Sequence, residues 1–336
     1  MADITENTLV SVQGLAKYFP VGGSFFRQPD AFIHAVDRIN FDIPSGNSLA
    51  LVGESGCGKT TTGKLLTRLL DPTEGNILLR DTASDGGQMI DLAGLKGSEL
   101  KNFRRRVQMI FQDPYESLNP RMTIFDIMSE PLAVQNIGSL AEREERVVQL
   151  LEQVGLTPAT SFIFRYPHEL SGGQRQRVAI GRALVVEPTF IVADEPTSML
   201  DVSIRTGVMN LMIELGDKFG VSYLYITHDL AVARYTSQDI AVMYMGKIVE
   251  TGHTEDVLQN PLHPYTKALI SAVPVPDPAL KREPPDIKGS ISKPINPLPR
   301  CRFYDRCPIS AKVCEESNHP PLEDKGAGHQ AACYLV

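Results

Sequence analysis

The sequence predicts an α/β fold organised around a phosphate-binding turn, on three observations. Short apolar runs at 48–52, 107–111, 189–194 and 223–227 alternate with stretches of helical spacing, the pattern of a largely parallel sheet flanked by helices. The first run leads into Gly53-Glu54-Ser55-Gly56-Cys57-Gly58-Lys59-Thr60, a complete G-x-x-x-x-G-K-[ST]. A helix begins at once, with Thr61 in its first turn and Leu65, Leu66, Leu69 and Leu70 on one side. Strand, glycine turn and helix start are what phosphate binding requires. The glycines let the backbone wrap closely, its N–H groups point inward, and the helix N-terminus adds positive potential. Lys59 is placed to reach the β- and γ-phosphates of a nucleoside triphosphate, and the Thr60 hydroxyl to ligate Mg²⁺.

Taken in order, residues 9–12, 32–36 and 39–43 read as short strands of an antiparallel sheet ahead of the phosphate loop, with a turn at 44–47. Residues 22–29 read as a loop inserted into a hairpin, and Tyr18 and Phe19 just before it are aromatics able to stack on a purine. Turns alternate with short apolar pieces over 71–91. A helical stretch spans about 123–155, with Val147, Leu150, Leu151 and Val154 as its clearest apolar stripe, inside an inserted helical subdomain at about 113–170. Helices are expected at 171–186, with Ser171 as N-cap, and at 204–219. Eight prolines fall between Pro274 and Pro299, so that stretch is expected to be extended.

Composition narrows the class of function. A chain of 336 residues, 42% hydrophobic and 22% charged, suits one large domain and a smaller one. The net charge of -7 argues against a protein that binds nucleic acid broadly through a basic face. No apolar run approaches the roughly 18 residues that cross a bilayer. Residues 1–6 carry no basic-then-apolar leader, so a cytosolic protein is expected, meeting any membrane through partners.

Two further motifs complete a phosphoryl-transfer site. Asp194 and Glu195 end an apolar strand; the Asp suits the Mg²⁺ shell and the Glu an attacking water. Leu170-Ser171-Gly172-Gly173-Gln174 opens a helix with two glycines behind a serine cap, a second anion site built from backbone N–H groups. One nucleotide thus has two phosphate-binding surfaces in the chain, 118 residues apart.

This arrangement resembles the ATP-binding cassette (ABC) family over about residues 8–252, with Leu170 to Gln174 as its signature. The resemblance implies a P-loop cassette with a mixed sheet core, an antiparallel β subdomain and an inserted helical subdomain. Two cassettes then meet head to tail, and Ser171, Gly172, Gly173, Gln174 and Asp201 serve the partner's nucleotide. Gln112 resembles the glutamine that touches Mg²⁺ beside Thr60 and Asp194. His228 resembles the switch histidine on the γ-phosphate, Ser198 to Asp201 the D-loop, and Phe19 the adenine-stacking aromatic, with Tyr18 adjacent. Glu195, His228, Lys59 and Gln112 are the implied catalytic set, and residues 53–61 with Phe19 the implied ATP contacts.

The tail narrows the resemblance. His263-Pro264-Tyr265-Thr266-Lys267-Ala268-Leu269 and Cys301-Arg302-Phe303-Tyr304-Asp305-Arg306-Cys307-Pro308 resemble the ATPase subunits of dipeptide and oligopeptide importers. After a proline-rich extension (253–300), residues 301–336 hold Cys301, Cys307, Cys314 and Cys333 as C-x5-C-x6-C-x18-C, enough thiolates for Zn²⁺ or a [4Fe–4S] cluster. Relatives with iron–sulfur tails favour the cluster, with Arg300, Arg302, Arg306 and Lys312 available to offset its charge. The resemblance implies a second ATPase, a sibling chain, with two permease subunits and a solute-binding protein, on the cytoplasmic face of a bacterial inner membrane and without nucleic acid. A non-transport ABC ATPase of DNA repair or translation is the alternative class. Within transport, nickel, opines and glycosides are alternative solutes.

Overall fold

The computed structural model describes residues 7–22, 30–81, 87–273, 287–289 and 293–336. Most of the loop expected at 22–29 and most of the proline-rich stretch lie outside them. The chain runs β1 (Thr8–Val21), β2 (Ala31–Pro44), β3 (Ser48–Val52), α1 (Lys59–Leu66), β4 (Glu74–Arg80), β5 (Met89–Asp91), α2 (Gly97–Arg106) and β6 (Val107–Ile110). It continues through α3 (Pro114–Ser117), α4 (Ile124–Gln135), α5 (Leu140–Gln153), α6 (Gly172–Leu184), β7 (Phe190–Asp194), α7 (Val202–Phe219) and β8 (Ser222–Thr227). The remainder is α8 (Leu230–Thr236), β9 (Asp239–Tyr244), β10 (Lys247–His253), α9 (Thr254–Gln259), α10 (Pro264–Ser271), α11 (Lys312–Glu316), β11 (Glu323–Asp324) and β12 (Gln330–Ala331).

Two compact units emerge: residues 1–43, 48–93 and 226–336 form the first, and 44–47 with 94–225 the second. The first holds an antiparallel sheet in the order β2-β1-β4-β5 and a mixed run β11-β12-β10-β9-β3, with β3 and β9 parallel and β9 and β10 antiparallel. The runs 32–36 and 39–43 are one strand, β2, and β1 continues through Lys17, Tyr18 and Phe19. Polar residues near their middles hid this continuity: Asp37 is only 4% exposed because the first unit supplies cations to it.

In the second unit β6 runs parallel to β7, and α4 and α5 pack on α6 through Ile127, Met128, Val147, Leu151, Val178 and Ile180, all buried in one core. Capping boxes start α4 (Thr123, Asp126), α5 (Ser139, Glu142) and α6 (Ser171, Gln174), each satisfying two otherwise orphaned N–H groups. These local signals make the starts of the three helices readable from sequence. The proline-rich extension departs from expectation at its start, where α9 and α10 occupy most of 254–271. Pro264 sits at the first helical position of α10, where its missing N–H costs nothing.

Candidate functional site

In the first unit the phosphate loop lies between β3 and α1. Gly58, the N-cap of α1, has φ +115°, and a Cβ there would meet the Ala35 carbonyl oxygen at 2.1 Å. At Gly53 a Cβ would meet the Met243 carbonyl oxygen at 2.2 Å. The loop is therefore wedged between β2 and β9, and only glycine fits at either end. Lys59 is 5% exposed, and its ammonium donates to the carbonyls of Gly53 (2.7 Å) and Glu54 (3.0 Å). The Cys57 thiol faces the same ammonium at 3.8 Å, and burial pushes its pKa up, which fits a small packed filler. Thr60 and His228 both lie at the surface, at the start of α1 and just past β8. On β1, Tyr18 turns inward, donating its hydroxyl to Asp37 (3.1 Å) and packing on the His34 ring. Phe19 remains half-buried beneath the Lys17 ammonium, which separates the two aromatics that spacing alone left equivalent.

The second unit holds the other motifs. Asp194 is buried at the end of β7, and Glu195 follows with a left-handed backbone (φ +44°). Such a backbone costs a non-glycine residue roughly 1–2 kcal/mol. The Ser198 N–H and hydroxyl hold it, both donating to the Glu195 carbonyl at 3.1 Å. Gln112 then donates its side-chain amide to the Glu195 carboxylate at 2.9 Å, joining two motifs 83 residues apart. Downstream, Arg205 fixes the D-loop by donating to the carbonyls of Leu200 (2.9 Å) and Ser198 (3.3 Å), leaving Asp201 exposed at the start of α7.

The signature is organised by helix capping. Ser171 accepts from the Gln174 N–H (3.3 Å) while the Gln174 side chain accepts from the Ser171 N–H (2.9 Å). A Cβ at Gly173 would meet the Ile204 methyl at 2.8 Å, so α6 approaches α7 closely there. Sequence reading missed Arg175, which is 5% exposed. Its guanidinium lies over the Tyr115 ring (3.6 Å to the centroid) and donates to the Tyr115 hydroxyl and the Pro167 carbonyl. With Arg182, which donates to the Ser117 carbonyl (2.8 Å), it ties the segment after Gln112 to the signature helix. An arginine four positions beyond a helix cap carries no sequence signal of this role.

The cysteine-bearing tail belongs to the first unit. The Cys301 pKa is raised to about 11, by burial first and then by the nearby thiols of Cys314, Cys333 and Cys307. Burial likewise raises Cys307 and Cys333. Cys301, Cys307 and Cys314 share one buried cluster of the first unit. Among the described residues, however, no three His, Cys, Asp or Glu side chains form a group that could hold a metal ion. The cations expected to offset a cluster are paired with carboxylates instead: Arg300 with Asp305 (2.9 Å), Lys312 with Glu316 (3.1 Å), Arg302 with Asp37 and Arg306 with Glu54 (2.7 Å).

Asp37 gives a pH prediction. Burial opposes its ionisation, but Lys247, Arg302 and the Tyr18 hydroxyl outweigh that and hold its pKa below the ordinary value. A depressed carboxyl pKa stabilises the fold above the unfolded value and loses that stabilisation as pH falls through the folded one. Docking of the 301–307 segment is therefore expected to loosen below about pH 4, seen as faster amide hydrogen exchange there. Asp37→Asn is expected to show that faster exchange already at pH 7; an unchanged acid response in this variant would contradict the assignment.

Comparison with known proteins shows the family. Residues 36–198 match the ABC transporter family, and residues 249–314 match the family described as oligopeptide/dipeptide transporter, C-terminal region. The oligopeptide transport ATP-binding protein AppF of Bacillus subtilis is 44% identical over 338 residues, spanning 100% of this chain and 99% of that protein. The dipeptide transport ATP-binding protein DppF of Haemophilus influenzae is 44% identical over 336 residues, spanning 99% of each. Among solved structures, the dimeric post-hydrolysis state of the ATP-binding cassette MJ0796 bound to ADP and Pi is similar at TM-score 0.62 and 30% identity, over 73% of this chain and 99% of that one. The chain belongs to the ABC transporter family, in its group of oligopeptide and dipeptide transport ATP-binding proteins. It is an ABC-type ATPase that uses ATP and Mg²⁺. Among the described residues no helix is long and apolar enough to cross a membrane.

Proposed function

We propose that this chain couples ATP hydrolysis to peptide import, as one ATPase of a head-to-tail pair acting on two permease subunits supplied by a solute-binding protein. The observation that carries this is similarity over the full length, tail included, to ATP-binding proteins of oligopeptide and dipeptide transport. A DNA-repair or translation role has no comparable support. The proposed pair joins this chain to a sibling ATPase at the cytoplasmic face of the inner membrane. The similar cassette MJ0796 is dimeric, which agrees with a paired arrangement.

In this reading Phe19 stacks on adenine, and the loop and helix start of residues 53–61 cradle the phosphates. Lys59 and His228 hold the γ-phosphate, Thr60, Asp194 and Gln112 keep Mg²⁺ in place, and Glu195 orients the attacking water. Ser171, Gly172, Gly173, Gln174 and Asp201 close over the partner's nucleotide. Mg²⁺ supplies charge neutralisation at the transferring phosphoryl group. The test is reconstitution with the permease subunits and binding protein in proteoliposomes. ATP-dependent uptake of a labelled di- or oligopeptide is expected, and uptake confined to a nickel chelate, opine or glycoside would reassign the solute.

The tail is proposed to hold a [4Fe–4S] cluster, or Zn²⁺, on Cys301, Cys307, Cys314 and Cys333, a reading that rests on the four-thiol donor set and its C-x5-C-x6-C-x18-C spacing. Anaerobic purification is expected to give broad absorbance near 400 nm and about four irons per chain. One zinc and no colour would make it a zinc clip, and metal-free protein would remove the proposal.

A further inference from the structure

We propose that Arg306, carried by the cysteine-bearing tail, is a positioning residue for ATP binding, holding Glu54 so that the phosphate loop receives the triphosphate. Phosphate binding itself makes no demand on the side chain at Glu54, a variable position of the motif. An ionised carboxylate on an anion-binding loop repels a triphosphate unless it is neutralised and turned away. Arg306 does both. Its two terminal nitrogens fork onto the carboxylate at 2.7 and 2.9 Å, the bidentate geometry that gives such pairs direction as well as strength.

The rest of Glu54 is held from the same side. Its backbone N–H donates to the Tyr265 hydroxyl of α10 at 2.9 Å, and its carbonyl accepts from the Lys59 ammonium at 3.0 Å. Carboxylate, N–H and carbonyl are all assigned, and the last of them sets where the phosphate-binding lysine rests. Lys59 thus rests on backbone carbonyls of the loop, while the Glu54 carboxylate is turned to Arg306.

Arg306 is itself fixed, unlike an ordinary surface cation. It is 7% exposed, beside the rings of Tyr244 (5.6 Å) and Phe303 (5.9 Å), and its N–H donates to the Phe303 carbonyl at 3.0 Å. Phe303 packs edge-on against Tyr244 and tilted against Tyr265, the residue that takes the Glu54 N–H. The tail segment before it pairs with β2, where His34 and Asn296 donate to the carbonyls of Pro294 and Phe32, both at 2.9 Å. Tail, aromatic cluster and phosphate loop thus form one connected set inside the first unit.

The experiment measures ATP affinity of the full chain with a fluorescent ATP analogue, together with kcat and KM, for Arg306→Met, Arg306→Lys, Glu54→Gln and the Arg306→Met/Glu54→Gln pair. Arg306→Met is expected to weaken ATP binding about tenfold, with kcat of the bound state within about twofold, because it exposes the nucleotide to an unneutralised carboxylate. Arg306→Lys keeps the charge without the fork and is expected to weaken binding about threefold. Adding Glu54→Gln to Arg306→Met is expected to restore most of the affinity, a rescue that mere loss of packing cannot produce. Unchanged affinity in both Arg306 variants, or a further loss in the double variant, would overturn the proposal. If Arg306→Met does not fold, the Arg306→Lys value decides: wild-type affinity there is the overturning result.

Discussion

Glu195→Gln is expected to lower ATP turnover by about a hundred- to ten-thousandfold while ATP still binds, the loss that accompanies removal of a positioned general base. The substitution is nearly isosteric, so the backbone that presents the side chain is left alone. That backbone is left-handed at φ +44°, held by the two hydrogen bonds from Ser198 to the Glu195 carbonyl. A glutamine there still offers an oxygen to the Gln112 amide, which now donates to the carboxylate at 2.9 Å. Position survives and the carboxylate charge, which the proposed mechanism uses on water, is lost. Single-turnover hydrolysis alongside equilibrium ATP binding separates the two effects. Turnover at the normal rate would remove Glu195 from the mechanism, and lost binding would show that the carboxylate shapes the site instead. Gln112→Ala is the informative companion: it keeps the Glu195 carboxylate and removes this one hydrogen bond, so a smaller loss in kcat is the expected order.

The parts of this site that sequence reveals are those a single segment can specify. Gly53 to Gly58 form a loop because three glycines lie between a strand and a helix start. Ser171 and Gln174 reveal the signature helix because a capping box spans only four. What sequence conceals is pairing across distance. The Gln112–Glu195 bond joins segments 83 residues apart, and Glu54–Arg306 joins segments 252 apart. Neither partner is marked by its neighbours. Arg306 was legible only as one of several cations near four cysteines, which suggested service to a cluster. The fold gives it to the phosphate loop, and gives Arg302 to Asp37. A charged residue in mid-strand reads as solvent-facing until the cation that buries it is known. Asp37 is such a residue, and its two cations come from Lys247 on β10 and Arg302 in the tail.

Gly58→Ala is expected to weaken ATP binding by more than about a hundredfold, and Gly56→Ala by only about tenfold, although both glycines have positive φ. At Gly56 a Cβ meets nothing within 4 Å, so alanine pays only the left-handed strain of roughly 1–2 kcal/mol. A strain of that size reduces the population of the binding-competent loop, and apparent affinity falls by the same factor. At Gly58 the strain is joined by a collision, since the Cβ would lie 2.1 Å from the Ala35 carbonyl oxygen and 2.8 Å from the Met243 methyl. The methyl can rotate away; the carbonyl cannot. Two residues on, β2 is pinned where the Asp37 N–H donates to Gly246 and the Gly246 N–H donates to Cys57, each at 2.9 Å. That chain of bonds returns to the phosphate loop itself, so β2 cannot retreat without pulling on Cys57. The loop must open instead, and opening turns the first N–H groups of α1 away from the phosphates they are built to meet. Binding isotherms for the two variants, with thermal melts to confirm folding, decide the matter. Equal losses would mean that backbone strain alone governs this loop, and a larger loss at Gly56 would contradict the close approach of β2.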